Sequence, residues 1–338
     1  MASFAKFGND LYTGARSFNF VGRRRIWYVI ATVMILASVV IPILRGGFVF
    51  GIEFRGGSEF QVSGVTAVAD DPIAQQDIAA QAVNATVKSA TPHVTTVGSD
   101  GVRVQTDQLS SSQTDEVRAA LADAFGIDLK DVTASFIGPS WGADITDKAL
   151  RALIIFVVLA AIIMALYFRT WKMSVAAIIA LVHDIIITAG VYGILGFEIT
   201  PSAVIGFLTI LGYSLYDTVV VFDKIRENTS EDGSESNRTF AESVNLAVNQ
   251  TLVRSINTGV VAALPVAAIL FIGAVVLGAG TLRDIALSLL VGILIGTYST
   301  IFIAAPLYSQ LRENEPELQK RTKKVATTRA NSITGAVR

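Results

Sequence analysis

One acid sits where acids are rare. The stretch Gly206 to Asn228, GFLTILGYSLYDTVVVFDKIREN, is apolar enough to cross a bilayer yet carries Asp217 within it. An ionisable group in hydrocarbon costs at least ~2.5–3.5 kcal/mol on insertion scales, so a partner or a task must offset it, and the usual task is moving an ion or a proton. Asp223, six residues on, marks the membrane surface, which puts Asp217 about 9 Å deep at 1.5 Å per residue. Ile210, Tyr213, Ser214 and Val221 share its helical stripe, and Tyr216 precedes it. Gly206 and Gly212 leave room for another helix to approach.

The next apolar stretch brings a base to a similar depth. Gln250, Arg254, Asn257 and Thr258 fall at i, i+4, i+7 and i+8, on one face. Asp217 and Arg254 therefore read as a pair. Burial disfavours a charged carboxylate and a nearby guanidinium favours it, so such a pair suits proton uptake and release. The alternative is a purely structural partner for Arg254. Asp184, next to His183, lies deeper, near the middle of its own span. It reads as a supporting site residue or as a structural acid bonded to a neighbouring helix. His183 reads as a satisfied interface histidine, and His93 as a surface residue. Tyr213, Ser214 and Thr258 are packing residues by default.

These residues need helices to carry them. Of 338 residues, 52% are hydrophobic and 16% charged, and the mean hydropathy is +0.55. Together with runs of 18 or more apolar residues, that predicts a multispanning membrane protein. With no cysteine, disulfide and thiolate chemistry are excluded. Met1–Gly22 is too polar for a cleavable signal. Six spans are expected at 26–44, 149–168, 174–195, 203–222, 251–277 and 285–307. Arg23-Arg24-Arg25 with Trp27 and Tyr28, the turn Arg169-Thr170-Trp171-Lys172, and the tail bases Lys320, Arg321, Lys323, Lys324 and Arg329 mark one side as cytoplasmic. Both termini then lie inside, as a cytoplasmic arm (1–25) and a basic tail (310–338) expected to be mostly disordered. The linking segment 223–250 carries Phe240, Val244, Ala247 and Val248 at amphipathic spacing, so it is expected to rest on the inner membrane surface.

Residues 46–147 are soluble in composition, with 14 Asp/Glu against five Lys/Arg, and should lie outside. The pattern predicts a strand at Glu53–Ser63, with Gly56-Gly57 as a bend or bulge, and a helix at Pro72–Lys88. Strands at His93–Val97 and Val102–Thr106 follow, turning at Gly98-Ser99-Asp100-Gly101, then a helix at Ser111–Phe125 capped by Ser112 or Thr114, and a strand at Val132–Ile137. The order βαββαβ is that of the ferredoxin-like α+β fold.

At this point the residues resemble a family. GYSLYDTVVVFDKIREN resembles the long fourth-span signature of the SecD/SecF protein-export family. FGIEFRGGS at Phe50–Ser58, Val182-His183-Asp184 and NQTLVRSINTG at Asn249–Gly259 resemble its shorter motifs, so the likeness covers roughly residues 20–310. Gly51, Glu53, Phe54, Gly56 and Gly57 form the structural motif after the first span. Two positions depart from the pattern: Glu53-Phe54 stands where Asp-Phe is usual, and Tyr216 where Asn is common.

The resemblance implies a resistance–nodulation–division transporter half in the bacterial cytoplasmic membrane. It implies use of the proton-motive force in late protein export, with Asp217 and Arg254 as the relay. Implied partners are SecD, which supplies the second six-span half, the SecYEG channel, the SecA motor, the accessory subunit YajC, unfolded exported chains and the lipid bilayer, but no nucleic acid. No enzyme activity, cofactor or metal is implied; the coupling ion is a proton, with sodium the alternative. Two other classes were weighed on the residues. A small-molecule efflux half-transporter would carry a larger outer domain. An intramembrane aspartyl protease needs two acids sharing a proton, but Asp184 and Asp217 differ in depth and Asp184 lacks the Gly-x-Gly-Asp element.

Overall fold

The computed structural model describes residues 2–65, 71–98, 100–231, 238–273 and 280–333. Six of its helices are long and apolar enough to cross a membrane. The first, α2 (Arg24–Leu44), follows a short helix α1 (Ala2–Tyr12) and leads into one helical turn, α3 (Ile52–Arg55). The spans then resume with α6 (Pro139–Phe168), α7 (Trp171–Leu195), α8 (Pro201–Glu231) and α9 (Phe240–Phe271). The last span is α10 (Gly280–Ser299), which passes through a π-helical stretch, Thr300–Ala304, into α11 (Ala305–Arg312). Helix α12 (Pro316–Ile333) closes the chain.

Between α3 and α6 lies a four-stranded antiparallel sheet: β1 (Gly57–Ser63), β2 (His93–Val97), β3 (Gly101–Thr106) and β4 (Val132–Ile137), in the order β2-β3-β1-β4. Phe60 pairs with Val104 on one side and Ala134 on the other, fixing the register. Helices α4 (Pro72–Thr86) and α5 (Ser111–Phe125) cover one face, and Phe60, Val62, Val83, Val104, Val117, Leu121 and Phe125 form its fully buried core. Ser110, rather than Ser112 or Thr114, caps α5, in a reciprocal box with Gln113.

Several expectations change. The first strand begins at Gly57, because Ile52–Arg55 turns as a helix and Gly56 (φ 78°) and Gly57 (φ 148°) reverse the chain into the sheet. The glycine pair is thus the expected bend rather than a bulge: Gly56 turns the chain and Gly57 is the first residue of the strand, paired with Ile137. The helix expected to 88 ends at Thr86. The second span belongs to a 30-residue helix that continues into the sheet domain, where α3 packs on it at Gly142. Among the described residues, segment 223–250 holds no separate surface helix. Helix α8 runs on to Glu231, and Phe240, Val244, Ala247 and Val248 begin the continuous helix α9, buried against Tyr308 and Phe222. The amphipathic stripe that suggested a membrane surface faces protein instead. The tail is helical as far as Ile333, tied by the Arg329–Glu242 pair at 2.9 Å, and the N-terminal arm is partly helical. The end of the fifth span to Leu277, part of the turn Gly278–Asp284, and Ser99 lie outside the described residues.

Small residues set the helix spacing. A Cβ at Gly206 would overlap Ser288, one at Gly292 would overlap Ile210, and one at Gly190 would overlap Ser38. These contacts draw α8 onto α10 and α2 onto α7, as expected where packing rather than water drives association. Gly212 differs from the expectation: its Cβ would meet no atom within 4 Å. Val29, Val33, Leu36 and Leu44 on α2, Ile155, Leu159 and Ile163 on α6, and Val260, Val261 and Leu264 on α9 are exposed. Such apolar faces suit lipid or another membrane subunit.

Candidate functional site

The polar centre of the bundle lies where α7, α8, α9 and α10 meet. Asp217 on α8 is 4% exposed. Its Oδ1 accepts a hydrogen bond from Ser255 Oγ on α9 at 2.8 Å. Its Oδ2 has no hydrogen-bond partner among the described residues. The next residue, Thr218, shares a 3.0 Å hydroxyl contact with Thr300, the first residue of the π-helical stretch. Such bulges in helices are frequent at functional sites.

Asp184 on α7 is fully buried. Its Oδ2 accepts from Ser214 Oγ at 2.6 Å and from Ser299 Oγ at 2.8 Å. His183 Nδ1 lies 3.1 Å from its Oδ1, while His183 Nε2 is buried without a partner among the described residues. Adjacent residues Ser299 and Thr300 therefore touch the two acid centres in turn. Both were missed by sequence reasoning. Their signal was the run Thr297-Tyr298-Ser299-Thr300, four hydroxyl residues inside an apolar span.

The direct pairing of Asp217 with Arg254 is not formed in this chain. Ser255 points at the acid, whereas Arg254, about 100° further round α9, is exposed and lines a cleft of about 420 Å³ with Tyr12, Asp223, Glu227 and Gln250. A long guanidinium side chain turns away from apolar packing when it can reach a polar cleft. Gln250 is occupied: its Oε1 accepts from Asn228 Nδ2 at 2.8 Å and its Nε2 donates to the Tyr12 carbonyl at 3.1 Å. Asn257 and Tyr216 are exposed, Thr258 and Tyr213 half-buried, and Ser214 buried on Asp184 rather than on Asp217. Asp184 and Ser214 thus join one centre, while Tyr216, Arg254 and Asn257 look out of the chain.

Removing the Ser255 hydroxyl leaves Asp217 buried without its protein donor. Ser255→Ala is expected to lower the yield of monodisperse protein after detergent extraction, since a hydrogen bond to a charged group contributes about 1.5–3 kcal/mol of stability.

The motif after the first span anchors the sheet domain. Gly51 N donates to Ile199 O at 3.0 Å and Ile199 N to Val49 O at 2.8 Å, a short parallel bridge onto the α7–α8 loop. A side chain at Gly51 would strike the Glu53 carboxylate. Phe54 stacks edge-on against Phe50, with centroids 6.2 Å apart, and its carbonyl closes over Gly142 of α6.

Residues 116–314 match the family model described as protein export membrane protein SecD/SecF, C-terminal. The chain belongs to the SecD/SecF protein-export family. It is 43% identical over 333 residues to the protein translocase subunit SecF of Streptomyces coelicolor, covering 98% of this chain and 86% of that protein. It is 42% identical over 334 residues to SecF of Mycobacterium tuberculosis, covering 96% and 73%. The crystal structure of SecDF from Thermus thermophilus, described as a translocon-associated membrane protein, superposes with a TM-score of 0.73 at 30% identity, over 88% of this chain. The chain spans only 39% of that longer protein. Membership in the SecD/SecF family makes this a multi-pass membrane protein of the protein translocase.

Proposed function

We propose that this chain is one half of a proton-driven export motor in the bacterial cytoplasmic membrane, and that Asp217 is the group that takes and releases the proton. One observation carries the reading: a carboxylate 4% exposed, in the middle of a membrane-spanning helix, keeps one oxygen without a hydrogen-bond partner among the described residues. A buried ion whose lone pairs are all satisfied is a structural element. One left half-satisfied is ready for a proton or a water. Arg254, Tyr216 and Asn257 look outward because a second six-span half, SecD, covers them; the single-chain relative SecDF carries far more chain than this one. Arg254 approaches Asp217 directly in another packing of α8 and α9. Proton uptake weakens that attraction and lets the helices part.

The basic arm and tail support a cytoplasmic position for both termini and an outer one for the sheet domain. The strand order β2-β3-β1-β4 with two helices on one face supports a ferredoxin-like unit there. It contacts SecD or the emerging chain, delivered by the SecYEG channel and SecA, with YajC as an accessory. The coupling ion is a proton rather than sodium: a buried carboxylate with one unpartnered oxygen is neutralised by a single proton. No cofactor or catalytic step is required. A test is proton flux. Proteoliposomes holding this chain with its SecD subunit should acidify in response to an imposed gradient when unfolded substrate is present. Absence of flux with both subunits present would sink the reading.

A further inference from the structure

Another buried acid lies outside the relay, at the joint between the bundle and the sheet domain. Glu198, in the α7–α8 loop, is 7% exposed, and its Oε1 accepts no hydrogen bond from the described residues. His93 Nε2, at the start of β2, lies 3.4 Å from it. The same loop is stitched to the linker after α2 through Ile199, so three separate parts of the chain converge here.

The groups that face Glu198 come from every element at the joint. The sheet domain contributes Glu59 on β1, His93 on β2 and Arg103 on β3, and α3 contributes Glu53. The bundle contributes Asp284 on α10, which is bonded by Thr200 Oγ1 at 2.8 Å and flanked by Arg283 at 3.5 Å. Arg55 acts on His93 from α3. Four carboxylates thus meet three guanidinium groups, Arg55, Arg103 and Arg283, and Arg103 Nε reaches Glu59 only at 3.8 Å. A buried cluster with surplus negative charge neutralises by binding protons rather than by holding bare ions.

We infer that Glu198 and His93 form a proton-binding site on the outer face, occupied when the sheet domain is seated on the bundle and emptied when it lifts. The inference rests on the proposed sidedness and deepens the proton-driven reading. The proton is the ligand, and seating of the domain is what it controls. Desolvation at the joint pushes the Glu198 carboxyl up to about 7, with Glu53, Glu59 and Asp284 adding to the rise against Arg103. Burial and Arg55 push His93 down, so at neutral pH the pair shares one proton without both groups being charged. A lifted domain returns Glu198 to water and to an ordinary carboxyl near ~4.3. The seated state then binds the extra proton between these values. Through Glu198, seating strengthens as pH falls from about 7 toward ~4.3 and is flat above 7; through His93, which a lifted domain returns to an ordinary imidazole near ~6.5, part of that gain is offset below ~6.5.

The chain lacks cysteine, so two introduced cysteines report on the joint alone. Spin labels at the exposed positions Lys130 and Leu195, in the full chain in nanodiscs, give the distance between domain and bundle. Between pH 8 and pH 6 the seated-to-lifted ratio should rise severalfold, the Glu198 gain of about tenfold less the loss through His93. In Glu198→Gln it should start high and no longer rise on acidification. In His93→Gln, which leaves the carboxylate, the rise should steepen toward about tenfold. Asp217→Asn should keep the wild-type response while losing export, which separates failure of this site from failure of the relay. A pH response unchanged in Glu198→Gln, or none in the wild type, overturns the inference.

Discussion

Asp217→Asn is expected to reduce export driven by the proton-motive force to the level of cells lacking the chain, a loss of tenfold or more, while the protein inserts and folds normally. The amide is isosteric and can still accept from Ser255 Oγ, now 2.8 Å from Oδ1, so the local packing is kept. It cannot take up a proton. One charge moved through the full field contributes about 2.3 kcal/mol per 100 mV, which shifts a two-state packing about 40-fold. Without a titrating group that bias is lost. Secretion of a reporter in cells depleted of the native subunit, alongside membrane yield of the variant, checks the result. Normal export by Asp217→Asn would move the relay elsewhere, with Asp184 the next group to test, because Ser299 and Thr300 tie the two acids together. Arg254→Ala should also lower export strongly, without lowering the stability of the isolated chain, since Arg254 is exposed there.

Gly292→Val is expected to cost the most stability. Its Cβ would overlap the Ile210 side chain, which is 1% exposed and has no free volume to enter. Overpacking of this kind costs about 1–3 kcal/mol. The α8–α10 seam also holds Ser214 and Thr218 in register with Ser299 and Thr300, so moving the helices apart breaks both acid centres at once. The expected readout is a sharp fall in monodisperse protein after detergent extraction. Gly212→Val is the contrast. Its Cβ meets nothing within 4 Å, so the chain's own stability should hold. Reduced co-purification of the SecD subunit would then mark that face of α8 as the contact between halves. Equal yields for the two variants would show that the seam does not control the fold.

Much of this architecture was legible along the chain. Apolar length gave all six spans, because a helix must satisfy its backbone inside hydrocarbon and needs about 20 residues to do so. Alternating and turn residues placed β2, α5 and β4 to the residue. The acid itself was visible, since a charge in an apolar run has no cheap explanation. What the linear pattern misjudged were surfaces with two possible solvents. The stripe Phe240, Val244, Ala247 and Val248 is the same whether it meets lipid or protein, and only the approach of Tyr308 and Phe222 decides. Depth along a helix was readable, but rotation at contact range was not. Arg254 and Ser255 sit at nearly equal depth, and the packing angle of α9 turns the serine, not the arginine, to Asp217. Tertiary structure alone brought Ser299 and Thr300 to the two acids, and Glu198 to His93 across more than a hundred residues. Local sequence carries no record of which distant side chains will share a buried space. For this protein the sequence by itself determined the membrane class, the span count and the presence of an acid within the fourth span; only the packing of α8 against α9 and α10 decided what that acid touches.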